Sequence, residues 1–91
     1  MTKLEQQAWA DGGYARGLLI PDTRHPGTQH FARLFATGHL SEHAAATAHP
    51  FAAVAQHAID TLKDSPELSA CLRKLLEAKD CAVRARLFTG D

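Results

Sequence analysis

The five residues Lys63-Asp64-Ser65-Pro66-Glu67 constrain the fold of this chain more than any other feature. Ser65 is a good helix N-cap, Pro66 suits the first helical position, and Glu67 complements the positive end of the helix dipole. A helical pattern follows from Pro66 to about Phe88 and stops at Gly90. Upstream, Phe51, Val54, Ala55, Ala58, Ile59 and Leu62 recur on one face of a helical wheel, with Gln56, His57, Asp60 and Lys63 on the other. A connection of only two or three residues between two such helices dictates an antiparallel hairpin of about residues 50–63 and 66–88.

The rest of the chain is read around that hairpin. Ser41 can cap a helix running to about His49, after which Pro50 either kinks it or opens a new one. Thr28 can cap a short helix that turns Phe31, Leu34 and Phe35 inward and ends at Gly38. Residues 12–28 are punctuated by glycine and proline and read as a loop or arm, with Leu18-Leu19-Ile20 packed onto the helical body. Residues 2–10 fit one or two helical turns, with Trp9 as an anchor. The expected architecture is all-α: a helical hairpin with an N-terminal arm and one or two short preceding helices. At 91 residues and 9.9 kDa there is room for one domain, divided into an arm (1–27), short helices (28–48) and the hairpin (50–88).

The last helix carries more apolar surface than one partner can cover. Leu68, Cys71, Leu72, Leu75, Leu76, Ala78, Ala82, Val83 and Leu87 spread over about 200° of its circumference. Either the arm covers the remainder or another subunit does, and a hairpin this small favours oligomerisation. Lys79 and Arg86 fall in the middle of that arc. Their stems can lie along the core edge while the charges reach water, or they can face an anionic ligand or a partner's acid.

Charge and motif narrow the function. Ten Lys+Arg balance ten Asp+Glu, which argues against a general DNA or anionic-membrane binder. No apolar run approaches the ~20 residues that span a bilayer, and the first residues lack the apolar core of a secretory signal. The expectation is a soluble cytoplasmic protein. Cys71 and Cys81, ten residues apart on one helix, read as reduced structural thiols, one on the apolar face and one near its polar edge. His39-Leu40-Ser41-Glu42-His43 matches the inverted zinc-protease motif, but Ser41 as an N-cap starts the helix too late for both histidines to share its face. A metal-free, cofactor-free protein is therefore expected, with a zinc hydrolase through His39, Glu42 and His43 as a remote alternative. Asp80 and Arg84 suit a solvated i, i+4 pair. The local excess of positive charge lies in the arm, where Arg16, Arg24, His25, His30 and Arg33 face Asp22 alone. Arg24-His25-Pro26-Gly27 leading into a helix is an anion-site pattern.

Residues Asp64–Leu87, with the stretch ELSACLRKLLEAKDCAVRA, resemble small bacteriophage helical-hairpin proteins, and His25–Phe35 resemble their upstream His-Pro-Gly element more loosely. The segment is similar to the hairpin domain of phage sponges that sequester cyclic-nucleotide signals of anti-phage immunity, the anti-CBASS and anti-Thoeris proteins. About a third of the chain is covered. The resemblance implies a non-enzymatic homo-oligomer, often a hexamer, that binds cyclic oligonucleotides between subunits in the host cytoplasm. Arg24 stands where those proteins carry an aromatic that stacks on a base, and Phe35 falls near their phosphate-contacting basic position. The expected function is sequestration of a small anionic nucleotide by Arg24, His25, Lys79 and Arg86, without enzymatic chemistry. The alternative is a helical module that blocks a host protein through exposed apolar surface such as Trp9, Leu18-Leu19-Ile20 or Phe88.

Overall fold

The computed structural model describes residues 13–89, so Trp9 and the expected helical turns over 2–10 lie outside the described residues. Its elements, in order, are α1 (Pro26–Gln29), a 3-10 turn (Arg33–Phe35), α2 (Glu42–Thr61) and α3 (Pro66–Thr89). The described residues contain no strand, and α2 and α3 pack together as the hairpin.

The turn between them forms as its sequence dictates. The Ser65 hydroxyl accepts from the Leu68 N–H at 3.0 Å, satisfying one of the donors left open at the start of a helix. From there α3 continues for 24 residues, about 36 Å at 1.5 Å per residue. Leu68 and Leu72 are fully buried on it, with Cys71, Leu75 and Leu76 packed against the same core. Cys81 is exposed.

The first helix of the hairpin differs from expectation. It begins at Glu42, capped by Ser41, whose hydroxyl accepts from the Ala44 N–H, and it passes through Pro50 without a break. A proline removes the N–H that would bond the carbonyl four residues earlier. Ala46 and Pro50 both lie on the exposed face, so that carbonyl is on the solvent side. The helix of about 50–63 and the short helix ending near His49 are therefore one helix, 42–61. The face assignment also shifts. Val54 and Leu62 are half exposed, at 53% and 50%, whereas Gln56 is buried. What α2 turns inward is a stripe of small residues, Ala44, Ala48, Ala52, Ala55 and Ala58, beside Ile59. With no side chain beyond Cβ on that stripe, α3 can approach at the short end of the usual ~8–10 Å interaxial range.

The bulk missing from α2 comes from the arm. Phe31, Phe35 and Leu18 join Ile59, Leu68 and Leu72 in one buried cluster, with Tyr14 and Ile20 packed against it. Leu18 and Ile20 thus take the inward role expected of them. His25, not Thr28, caps the short helix: its Nδ1 accepts from the Gly27 N–H at 2.9 Å, and Pro26 takes the first helical position. The helix lasts four residues, and the 3-10 turn that follows rotates Leu34 out of the core to 37% exposure. The arm is pinned by backbone bonds from Leu18 N to Ala32 O, Thr37 N to Tyr14 O and Gly38 N to Ala15 O. Gly17 sits at φ 104, and a Cβ there would run into the Ala32 carbonyl, so this crossing requires glycine. No helix among the described residues is long and apolar enough to cross a membrane.

Candidate functional site

Because Ser65 supplies the N-cap of α3, the carboxylate of the preceding Asp64 is left for other partners. Three donors from the arm converge on it. Arg24 Nε reaches Oδ1 at 3.0 Å, the Thr28 hydroxyl donates to the same oxygen at 2.8 Å, and the His25 N–H donates to Oδ2 at 2.9 Å. The His25 N–H and then the Thr28 hydroxyl hold the Asp64 carboxyl below its ordinary value of 3.8, outweighing the opposing effect of desolvation, and Arg24 lowers it further. Asp64 is therefore an ionised, acceptor-only group at neutral pH.

Arg24 uses the rest of its guanidinium on the end of α2. Nη1 donates to the Ile59 carbonyl at 2.7 Å and Nη2 to the Leu62 carbonyl at 2.8 Å. These carbonyls belong to the last turn of the helix and its cap, which have no partner within the helix and carry its negative dipole end. One side chain thus caps α2, pairs with Asp64 and holds the arm. Gln29 Nε2 reinforces the arm by donating to the Asp22 and Arg24 carbonyls, at 2.8 and 2.6 Å.

Beside this clasp lies an open cleft of about 320 Å³, lined by His25, Thr28, Asp64, Ser65, Pro66 and Ser69. Its walls are an imidazole, three hydroxyls, a carboxylate and the proline ring. The Gly27 N–H bond occupies His25 Nδ1 as an acceptor, so in the neutral ring Nε2 carries the proton and is a donor.

Of the four residues expected to bind ligand, the structure brings Arg24 and His25 to this junction and places Lys79 and Arg86 elsewhere. All three Arg24 nitrogens are engaged within the chain. Lys79 is buried, with Nζ 3.0 Å from the Leu34 carbonyl, 2.8 Å from Asp80 and 6.0 Å from the centre of the Phe35 ring. Within the chain its charge is spent on the Leu34 carbonyl at the 3-10 turn and on Asp80. Asp80 accordingly pairs with Lys79, and Arg84 lies 3.4 Å from the Cys81 sulfur, in place of the expected Asp80–Arg84 pair. Arg86 sits at the opposite end of the hairpin, with Nη2 3.4 Å from His43 Nδ1. His39 precedes α2 and His43 lies in its first turn, so the zinc-protease pattern is not carried on one helical face. Among the described residues no three His, Cys, Asp or Glu side chains are grouped to hold a metal ion.

Sequence reasoning missed Asp64, Thr28 and Ser69 as cleft residues and Gln56 as an anchor. Gln56 Oε1 accepts from the Leu19 N–H at 2.7 Å and its Nε2 donates to the Leu19 carbonyl at 2.9 Å, so a side-chain amide pairs with the arm as a neighbouring strand would. The one available signal was the doubled cap, Asp-Ser before Pro66, where a single polar residue suffices to start the helix. No protein family, curated protein or solved structure matches the chain.

Proposed function

We propose that the protein is a non-enzymatic binding module that sequesters a small anionic nucleotide, of the kind used as a signal in anti-phage immunity, and that it works as a homo-oligomer. The observation that carries this reading is the cleft at the arm–hairpin junction. Small-ligand sites are concave, at roughly 300–1,000 Å³, and carry placed polar groups that fix the ligand's orientation. This cleft lies at the lower end of that range. Its polar groups are already held in structural bonds, Thr28 to Asp64 and Ser65 to Leu68, which suits holding a ligand in one orientation. Assembly is supported by Leu87 and Phe88, 58% and 80% exposed at the end of α3, and by the exposed Val54 and Leu62.

Those same side chains favour a second reading, a module that inhibits a host protein by direct contact. Native mass spectrometry of the protein purified without denaturant separates the two. A closed oligomer carrying nucleotide mass, with binding to a panel of cyclic oligonucleotides in calorimetry, is the expected result. A bare monomer with no binding across the panel overturns nucleotide sequestration and leaves the inhibitory module.

A further inference from the structure

We infer that the cleft floor is a subsite for the neutral, hydroxyl-bearing part of the ligand, a ribose diol, and that phosphate is excluded from it. This deepens the nucleotide reading and rests on it for which molecule brings the diol.

The hydrogen-bonding capacity left at Asp64 decides what the cleft can hold. A carboxylate offers about four acceptor positions, two on each oxygen. Oδ1 is filled by Arg24 Nε and the Thr28 hydroxyl, whereas Oδ2 receives only the His25 N–H among the described residues, which leaves this cleft-lining carboxylate one acceptor position. The group is held ionised by those same donors, so it accepts and cannot donate. A phosphate also presents acceptors and negative charge, and placed on the floor it would meet a carboxylate whose Arg24 partner is already spent on it and on α2. A sugar hydroxyl donates to a carboxylate, the pairing by which an acidic side chain recognises ribose in dinucleotide-binding folds. Ser69 lies one helical turn beyond Ser65 on the same face of α3 and lines the same cleft. It can take the second hydroxyl of a vicinal pair, with His25 Nε2 as a donor at the rim. The volume, about 320 Å³, suits one nucleoside unit and leaves a linking phosphate outside.

The test is an amide-resolved NMR titration of the full chain with adenosine, guanosine, their 2′,3′-dideoxy counterparts and inorganic phosphate. Adenosine or guanosine is expected to shift the amide signals of His25, Thr28, Ser65 and Ser69. The dideoxy compounds should bind roughly tenfold more weakly, the loss expected for a hydrogen bond to a charged acceptor. Phosphate should leave those signals in place. Ser69→Ala, which leaves the Arg24–Asp64 clasp intact, should weaken the nucleoside several-fold without lowering the melting temperature. Phosphate shifting the same signals, dideoxy compounds binding equally well, or neither nucleoside shifting them would each overturn the inference. Native mass spectrometry keeps the two claims apart. Retained nucleotide with unmoved cleft signals sinks the diol subsite alone, and moved cleft signals with no retained nucleotide sink sequestration alone.

Discussion

Replacing Arg24 by alanine separates a residue that holds the fold from one that waits for a ligand. The side chain donates to the Ile59 and Leu62 carbonyls at 2.7 and 2.8 Å. Each bond is worth about 1 kcal/mol net. A cation at the end of a helix adds roughly 0.3–1 kcal/mol. The pair with Asp64 is partly exposed and is assigned nothing further. The sum is about 2–3 kcal/mol, which for a domain of this size lowers the melting temperature by roughly 10–20 °C. Thermal unfolding followed by circular dichroism at neutral pH reads this directly. Arg24→Lys keeps the charge but not the planar fork that reaches two carbonyls and a carboxylate together, so it should recover no more than about a third of the loss. A melting temperature unchanged in Arg24→Ala, or fully restored by lysine, would refute the clasp and return Arg24 to the role of a free ligand-binding side chain.

Gln56→Ala leaves both backbone groups of Leu19 without their partner and should cost about 1–3 kcal/mol, with faster hydrogen exchange at the Leu19 amide. Pro50→Ala restores a backbone donor in the middle of α2 and should stabilise the protein by about 1–3 kcal/mol, measured by urea unfolding; a loss of stability would mean that the proline shapes the helix as the fold requires. The Asp64 carboxyl is held below 3.8 in the folded chain, so its contribution to stability is complete above that pH and disappears as the pH falls through the lower folded value. Acid unfolding of Asp64→Asn should accordingly show a shallower loss of stability below pH 3.8 than the parent, and an identical acid limb would contradict the assignment.

The parts of the fold legible in sequence are those set by neighbours a few residues apart. Ser65 with Pro66 and Ser41 before Glu42 announce two helix starts, and both are where their chemistry puts them. What was not legible depends on partners 35 to 45 positions away. Arg24 reads as an available cation until the ends of α2 and α3 are brought beside it. Lys79 in an apolar arc reads as a side chain reaching for water, because nothing local shows that the Leu34 carbonyl lies beneath it. Gln56 looks solvent-facing on a helical wheel, since a wheel knows nothing of the arm that covers it. Pro50 misleads in the other direction. Its local cost is real, but packing along 20 residues of α2 outweighs one missing bond on the solvent side. The cleft was half visible, through His25, and its carboxylate was hidden by a neighbouring serine that already accounted for the helix start.

The alanine stripe of α2 inverts the usual map of where a sequence is free to vary. Ala48, Ala52 and Ala55 are at most 1% exposed and contribute little apolar area, yet they lie on a helix packed along α3, and Ala52 and Ala55 share one buried cluster with its Leu68 and Leu72. A valine or leucine there would increase hydrophobicity and still cost about 1–3 kcal/mol by wedging the helices apart. The displacement would carry the start of α3, and with it Ser65 and Ser69, away from the arm. Tolerance of the folded chain along α2 should thus run opposite to side-chain size, with exchange of the half-exposed Val54 and Leu62 costing the fold less than enlargement of the smallest residues.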